Sequence, residues 1–163
     1  MPVFRVEDTE GADVCYVKDA PSTLPPLANV AEKWGVTIQY RPTSEGEYGG
    51  FSQTKNSIYL STDDQSTFWH ELAHKAHSKI ETLKGGQDPE QEAIAQLTAA
   101  VLGRMYGHNV DGYTFDYIGA YAGERSTEQV AKMCMKVMSK VEKVLKLILE
   151  ADETNEPGNG ETA

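Results

Sequence analysis

The chain has 163 residues, of which 39% are hydrophobic and 25% are charged, a size and composition that predict one globular domain with a buried core. Its formal net charge of −10 argues against direct nucleic-acid binding, because contacts to phosphates depend on lysine and arginine. No stretch approaches the roughly 18 to 20 apolar residues that cross a bilayer, so we expect no membrane segment.

The cellular compartment is predicted from the N-terminus and the cysteines. The first residues lack a charged region followed by an apolar block, which is the pattern of a secretory signal. The two cysteines, Cys15 and Cys134, lie far apart in apolar surroundings, as is typical of unpaired cysteines in a reducing environment. These features predict a cytoplasmic protein.

The first third of the chain reads as short strands separated by turns. Two β-rich runs within residues 1–20 predict an N-terminal hairpin extension. Pro26 suits the first turn of a short helix that should end before Gly35. Three strand segments follow, namely Val36 to Tyr40, Phe51 to Gln53, and Ser57 to Leu60. Together they predict a small, mostly antiparallel sheet.

A helix with a well-marked start follows the last strand. Thr62 and Gln65 have the spacing of a capping box, in which both side chains satisfy free N–H groups at a helix N-terminus. Apolar residues then recur every fourth position, as on the buried face of an amphipathic helix: Phe68, Leu72, Ala76 and Ile80.

Asp88-Pro89 predicts the next helix, with a good N-cap residue followed by proline in the first turn. We expect Gly107 to end this helix. Its predicted buried stripe consists of Ile94, Leu97, Val101 and Met105. Tyrosines at positions 113, 117 and 121 recur at steps of four, which favours a further helix.

A long C-terminal helix is predicted from the capping box that Ser126 opens to about Ala151. Its apolar residues alternate steps of four and three: Val130, Cys134, Val137, Val141, Val144 and Ile148. This seam either packs within its own domain or forms a homodimer. Residues 152–163 have no apolar anchor, so they are predicted to be a disordered acidic tail after a single domain at 1–151.

The motif that carries chemistry lies in the first of these helices, where residues 70 to 74 read His-Glu-Leu-Ala-His. Positions i and i+4 of a helix lie on one face about 6 Å apart, so the imidazoles of His70 and His74 can reach one metal ion. Glu71 lies beside that ion and can take a proton from a metal-bound water. The pattern is typical of zinc hydrolases.

A catalytic zinc usually has three protein ligands, so a third must come from downstream. His77 lies too far along the same helix and is expected to face solvent, and His108 lies in a flexible-looking segment. We favour Glu92 over Glu90, because Glu92 lies in the first turn of a helix that can pack beside the motif helix. Gln96, on the same face as Glu92, is expected to hydrogen-bond a metal-bound histidine.

These residues resemble a known family. The run from Thr67 to His74, followed by Gln91 to Ala100, is similar to the zincin-like metallopeptidase domain of ArdC-type antirestriction proteins, which occur on plasmids, phages and other mobile elements. Gly49 to Ser52 and Asn56 to Leu60 resemble the strand pair before the family's motif helix, and Tyr117-Ile118 its Tyr-Ile pair. The resemblance covers about residues 25 to 150.

The resemblance implies an α+β, zincin-like fold, in which the small sheet packs on the HExxH helix, a glutamate-bearing helix and a long C-terminal helix. It also implies that Glu92 is the third ligand. Gln96 departs from the family, which usually has an acidic residue there. We expect the family's N-terminal single-strand DNA-binding domain to be missing, because only some 25 residues precede the resemblance, and the acidic charge agrees with this expectation.

We therefore predict a gluzincin-type zinc metallopeptidase, which hydrolyses peptide bonds of a host protein for a phage or mobile element. Zn²⁺ suits the ligand set best. Tyr117 is expected to stabilise the oxyanion, with His108 as the alternative. A second hypothesis is a catalytically weak binding module that blocks a host restriction or defence protein with its acidic surface. A third is a structural metal site, completed by His77 or His108.

Overall fold

The computed structural model describes residues 23–41, 48–109, 111–121 and 126–153. These residues form an α+β fold with a three-stranded sheet and several helices. The predicted α+β class is thereby confirmed, while the zincin-like assignment stays a prediction. The hairpin predicted for residues 1–20 lies outside the described residues.

The N-terminal half of the described chain contains a short helix and the whole sheet. In chain order the elements are α1 (Ala28–Lys33), β1 (Thr37–Tyr40), β2 (Gly49–Ser52) and β3 (Ser57–Leu60). Gly35, which the sequence marked as the end of α1, has a φ of 64°, a backbone conformation that glycine adopts without strain.

The sheet has the order β1-β3-β2, with β3 in the centre. Strand β2 pairs with β3 in the antiparallel direction, but β1 pairs with β3 in the parallel direction. The prediction of a mostly antiparallel sheet is therefore wrong for one of the two pairs. Consecutive strands joined by a tight turn are antiparallel, whereas the pairing of β1 with β3 rather than with β2 depends on contacts between residues farther apart in the chain, which strand patterns do not encode.

Helix α2 (Gln65–Ser78) carries the HExxH motif and lies against the sheet. Its N-cap is Asp64, whose carboxylate accepts a hydrogen bond from the Ser66 amide at 3.0 Å, so the predicted capping box at Thr62 is wrong by two residues. The Thr62 hydroxyl instead accepts a hydrogen bond from the Asp64 amide at 3.1 Å. Ile80, assigned to the buried stripe, lies beyond the end of α2 and is exposed.

Helix α3 (Pro89–Met105) begins as predicted, with Asp88 as its N-cap. Its predicted buried stripe is partly wrong, because Val101 and Met105 are 40% and 57% exposed. The inner face instead contains both apolar and polar side chains, and its buried residues include Gln91, Glu92, Ala95, Gln96, Ala99 and Leu102. Hydrophobic periodicity therefore misplaced the last part of the buried stripe, while Glu92 and Gln96 lie on the inner face, as their predicted roles require.

Two further helices complete the described fold, α4 (Asp111–Tyr121) and α5 (Thr127–Glu153). The predicted seam of α5 is buried except for the half-buried Cys134, and it packs on α1, α2, α3 and α4. This confirms packing within the chain, while the homodimer stays a prediction. Among the described residues, no helix is long and apolar enough to cross a membrane.

The C-terminal boundary of α5 differs from the prediction. Asp152 and Glu153, assigned to a disordered tail, belong to the helix. The Asp152 carboxylate accepts a hydrogen bond from the Asn29 side chain at 2.7 Å, and this contact with α1 extends the helix beyond its apolar seam. The rest of the predicted tail, residues 154–163, lies outside the described residues.

Candidate metal centre

Three side chains from α2 and α3 converge on one point. His70 and His74 lie one turn apart on α2, and Glu92 lies in the first turn of α3, the helix that packs along α2. The two Nε2 atoms of the histidines are 3.2 Å apart. Glu92 Oε2 lies 3.3 Å from Nε2 of His70, and Glu92 Oε1 lies 3.6 Å from Nε2 of His74.

These distances fit a small divalent cation. A tetrahedral ion with nitrogen and oxygen ligands at about 2.0–2.2 Å requires ligand atoms that are about 3.3–3.6 Å apart. The side chains of His70, His74 and Glu92 are only 11%, 13% and 9% exposed, so an ion between them would be largely shielded from bulk water. Within the described ranges, no other cluster of three histidine, cysteine or acidic side chains is arranged to hold a metal ion.

Gln96 orients the first histidine. Its Oε1 atom lies 3.2 Å from Nδ1 of His70, so Nδ1 donates a hydrogen bond to the amide and Nε2 is the ring nitrogen that faces Glu92. The amide nitrogen of Gln96 in turn donates to the Thr114 hydroxyl of α4 at 3.3 Å. This places Gln96 where the sequence predicted it and adds Thr114, which sequence reasoning did not assign to the site.

The charges in the cluster favour an ionised Glu92. Burial by itself would raise the pKa of the Glu92 carboxyl, but hydrogen bonds from His70 and His74 hold that pKa far below its usual range. Burial likewise acts to lower the pKa of His70, but hydrogen bonding to Glu92 and the nearby charges of Glu71 and Glu92 raise it above the ordinary value. A carboxylate ready to bind a cation therefore faces both imidazoles.

Glu71, the predicted base, is buried at 7% exposure and lines the cavities beside the centre rather than joining the three converging side chains. Burial raises the pKa of its carboxyl, while the nearby His70 and His74 and a hydrogen bond from the Phe51 backbone lower it in part. A carboxyl with a raised pKa beside a metal site is suited to accept and return a proton.

Tyr117, on α4, contacts two of the three converging side chains. Its hydroxyl donates a hydrogen bond to Oε2 of Glu92 at 2.9 Å, and its ring lies edge-on to His70 with the centroids 5.4 Å apart. Burial and the negative charge of Glu92 raise the pKa of this phenol far above its usual value, so it stays a hydrogen-bond donor.

The remaining candidates lie elsewhere. His77 is fully buried and hydrogen-bonds Glu81 at 2.8 Å, so the prediction that it faces solvent is wrong; α5 packs on α2, and its Lys140 binds the same Glu81. The ring of His108 packs edge-on against Trp69 with the centroids 5.3 Å apart, outside the converging group. Glu90 points away and pairs with Lys136 of α5. A four-ligand structural site completed by either histidine therefore has no support among the described residues.

Sequence reasoning did not identify the residues at the rim of the cleft around this centre. Two cavities of about 300 and 420 Å³ adjoin it, and both reach Gly49 of β2 and Gln87 of the loop before α3. Tyr48 and Tyr121 line the smaller cavity. The regular spacing of the tyrosines in α4 was visible in the sequence, but only the packing of α4 against α3 shows which of them reach the centre.

Comparisons with known proteins place the fold. No protein-family model and no curated protein match this chain. Among solved structures, the chain is similar to the crystal structure of Mn(II)-bound antirestriction protein ArdC from plasmid R388, with a TM-score of 0.51 and 17% sequence identity. The fold is ArdC-like.

The match covers 85% of this chain and 57% of the ArdC chain, so this chain spans little more than half the length of ArdC. At 17% identity the similarity concerns the fold alone. It supports the resemblance drawn from the sequence at that level, while the metallopeptidase assignment stays a prediction. The ArdC crystal structure holds Mn(II).

Proposed function

We propose that this chain is an antirestriction protein that acts on a host defence protein through a divalent-metal centre held by His70, His74 and Glu92. The observation that carries the proposal is the convergence of these three side chains, with separations of 3.2–3.6 Å between their ligand atoms. The ArdC-like fold supports the antirestriction role.

Zinc is the metal we propose for this centre. Two imidazoles and one carboxylate with room for a further ligand are the ligand set of many catalytic zinc sites. The same set also suits other divalent first-row ions, because the affinities of such sites overlap. Manganese is the competitor to test first, since ArdC was crystallised with Mn(II).

The finer proposal is peptide-bond hydrolysis. A divalent ion at this centre would polarise a carbonyl and lower the pKa of a water. Glu71 would accept the proton of that water and pass it to the leaving amine. Tyr117 would donate its hydrogen bond to the developing oxyanion instead of Glu92, a contribution that is typically worth about 10²- to 10³-fold in turnover.

A second candidate is a binding module that occludes a host defence protein with little or no catalysis. The structural comparison favours it more directly, because the similar protein is an antirestriction protein and that role does not by itself require a peptidase. The formal net charge of −10 would suit a basic partner surface. Occlusion does not require the carboxylate of Glu71, so the presence of this residue in the motif argues for hydrolysis.

One experiment separates the two candidates. Cells with an active restriction system would express the chain as wild type, as Glu71→Gln, or with the exposed residues Glu142 and Glu153 of α5 changed to lysine. The readout is the survival of unmodified incoming DNA, together with new protein N-termini across the proteome. Metal analysis of each purified protein is the control, because Glu71→Gln should keep the ion.

We expect Glu71→Gln to lose both protection and the new N-termini, with the lysine variant close to wild type. Loss of protection only in the lysine variant would replace hydrolysis with occlusion. Metal content that stays the same after His74→Ala would contradict the metal centre on which hydrolysis depends.

A further inference from the structure

The cleft extends to both sides of the metal centre. The two cavities that adjoin the centre share part of their lining, namely Gly49, His70, Glu71, Gln87 and Tyr117. A peptide whose scissile carbonyl lay at the centre would therefore place the residues before and after the scissile bond in different cavities. The chemistry of each cavity then selects a different substrate side chain.

The larger cavity, of about 420 Å³, has one lysine in its lining, paired with Asp88, and two further cations lie near rings that line it. Lys84 lines it, and Tyr59 of β3, which also lines it, carries the guanidinium of Arg41 on its ring at 4.1 Å. The ammonium of Lys75 lies 5.9 Å from the ring of Phe51, another lining residue.

The smaller cavity, of about 300 Å³, has a different character. Beyond the residues shared by both cavities, its described lining is Tyr48, Ser66, Thr67, Gln96 and Tyr121, all of them uncharged. Glu71 and His70 at its inner end belong to the metal centre. The chain has 25 acidic and 15 basic residues, but none of them lies in the described outer wall of this cavity. The cavity therefore favours uncharged side chains.

This wall is held in place by its neighbours. The backbone carbonyl of Tyr48 accepts hydrogen bonds from the Ser61 amide at 2.9 Å and from the Ser61 hydroxyl at 3.1 Å. The ring of Tyr121 packs on that of Tyr117 with the centroids 5.2 Å apart. Two aromatic rings thus border the opening beside the centre: the Tyr121 ring packs on Tyr117, and the Tyr48 ring, whose backbone is held by Ser61, is 65% exposed.

We propose that the smaller cavity is a specificity subsite for an uncharged aromatic or amide side chain next to the scissile bond; this inference rests on the proposed function. Such a side chain gains ring contacts with Tyr48 and Tyr121 and finds hydroxyl and amide partners. A lysine, arginine, aspartate or glutamate would lose hydration without meeting an opposite charge on the described residues of the outer wall, which disfavours its entry.

The test measures binding rather than turnover. Hydroxamates chelate the metal ion and carry the side chain beside it, so the zinc-loaded full chain is titrated calorimetrically with the hydroxamates of tyrosine, glutamine, lysine and glutamate. Acetohydroxamate reports the metal contact alone. We expect the tyrosine and glutamine compounds to bind at least about tenfold more tightly than the lysine and glutamate compounds.

Two matched charge variants assign the preference to a cavity. Tyr48→Glu puts a carboxylate at the mouth of the smaller cavity and should improve binding of the lysine compound by up to about fivefold. Gln53→Glu adds the same charge on an exposed residue of the larger cavity and should leave the ranking of the compounds unchanged.

The outcomes are distinct. Equal affinity for all four side chains, tightest binding of a charged compound, or a ranking that follows Gln53→Glu rather than Tyr48→Glu would overturn the subsite. Failure of acetohydroxamate to bind would instead overturn the metal centre, and the subsite with it.

Discussion

At the scale of single residues, Gln96 connects the metal centre to α4. It accepts a hydrogen bond from Nδ1 of His70 and donates one to Thr114. Because the first bond fixes which nitrogen of His70 faces the ion, its loss should weaken metal binding without removing a ligand. Where the ArdC-type family usually has an acidic residue, Gln96 still provides a hydrogen-bond acceptor but carries no charge.

We therefore predict that Gln96→Ala lowers zinc affinity by about 10- to 100-fold, and that Gln96→Glu retains or improves it because a carboxylate is a stronger acceptor. Competition with a chromophoric chelator measures both affinities. Gln129→Ala on α5 is the matched control and should bind zinc as wild type does. An unchanged affinity in Gln96→Ala would show that the hydrogen bond has no part in holding the ion.

At the scale of elements, β2 lies close to α2 because its first residue has no side chain. A Cβ atom on Gly49 would lie 2.7 Å from the Thr67 methyl group and 3.1 Å from the Tyr59 carbonyl oxygen. Those approaches are shorter than ordinary contacts, so β2 or α2 would have to shift. The shift would disturb the cleft wall next to Glu71.

We predict that Gly49→Ala costs about 1–3 kcal/mol in the free energy of unfolding, as is typical of overpacking, and that adding Thr67→Ser recovers part of this loss by removing the methyl group. Urea unfolding measures both. Gly85→Ala is the control, because a Cβ atom on Gly85 would meet no heavy atom within 4 Å and the stability should change little. Equal losses in the Gly49 and Gly85 variants would contradict the close approach.

The elements also show where sequence patterns are informative. Local signals predicted α1, α2, α3, α4, α5 and the three strand segments close to their observed positions, since caps, prolines and periodicity act over a few residues. The buried stripe of α3 was predicted wrongly at Val101 and Met105, because apolar residues also occur on exposed helix faces, whereas Glu92 and Gln96 lie on the inner face that their predicted roles require.

At the scale of the whole molecule, a metal ion bound at the centre should join α2 to α3 and so stabilise the folded chain. An ion that binds only the folded chain stabilises it according to its concentration and affinity. Zinc at one hundred times its dissociation constant should therefore raise the free energy of unfolding by about 2.7 kcal/mol. His74→Ala should remove this gain.

Thermal and urea unfolding with zinc and with excess chelator measure the effect. His108→Ala is the matched control: it removes an imidazole that packs on Trp69, so its baseline stability falls while the gain from zinc remains. A gain from zinc that survives His74→Ala would place the ion elsewhere.

A second prediction at this scale concerns pH. His77 is fully buried beneath α5, where it hydrogen-bonds Glu81, which also binds Lys140 at 2.6 Å. Burial lowers the pKa of His77 despite the opposing effect of Glu81. Hydrogen bonds to Lys140 and to His77 lower the pKa of the Glu81 carboxyl. For groups with a depressed pKa, folding stability is complete at high pH and declines as pH falls.

For His77 the loss should begin below the ordinary histidine pKa of about 6.5 and continue down to its lower value in the folded chain. We expect the free energy of unfolding of the metal-free protein to fall from pH 8 to pH 5.5 by more in the wild type than in His77→Gln. The comparison cancels contributions from His70 and His74. Parallel pH profiles of the two proteins would contradict the role of His77.

The sequence alone determined the local chemistry: an HExxH helix, a second helix with a carboxylate in its first turn, and a long amphipathic helix able to cover both. Helix geometry is local, so the spacing of His70 and His74 predicts their shared face without knowledge of the fold. The orientation of Gln96 toward a histidine followed from the same periodicity once Glu92 was chosen.

Only the tertiary structure decided which distant residues meet this helix. The packing of α3 on α2 brings Glu92, and not Glu90, to the centre. The packing of α4 brings Tyr117 there, and α5 packs on the helix in which His77 is buried. These outcomes depend on contacts between residues far apart in the chain, whose distances no local pattern encodes, and the parallel pairing of β1 with β3 is decided in the same way.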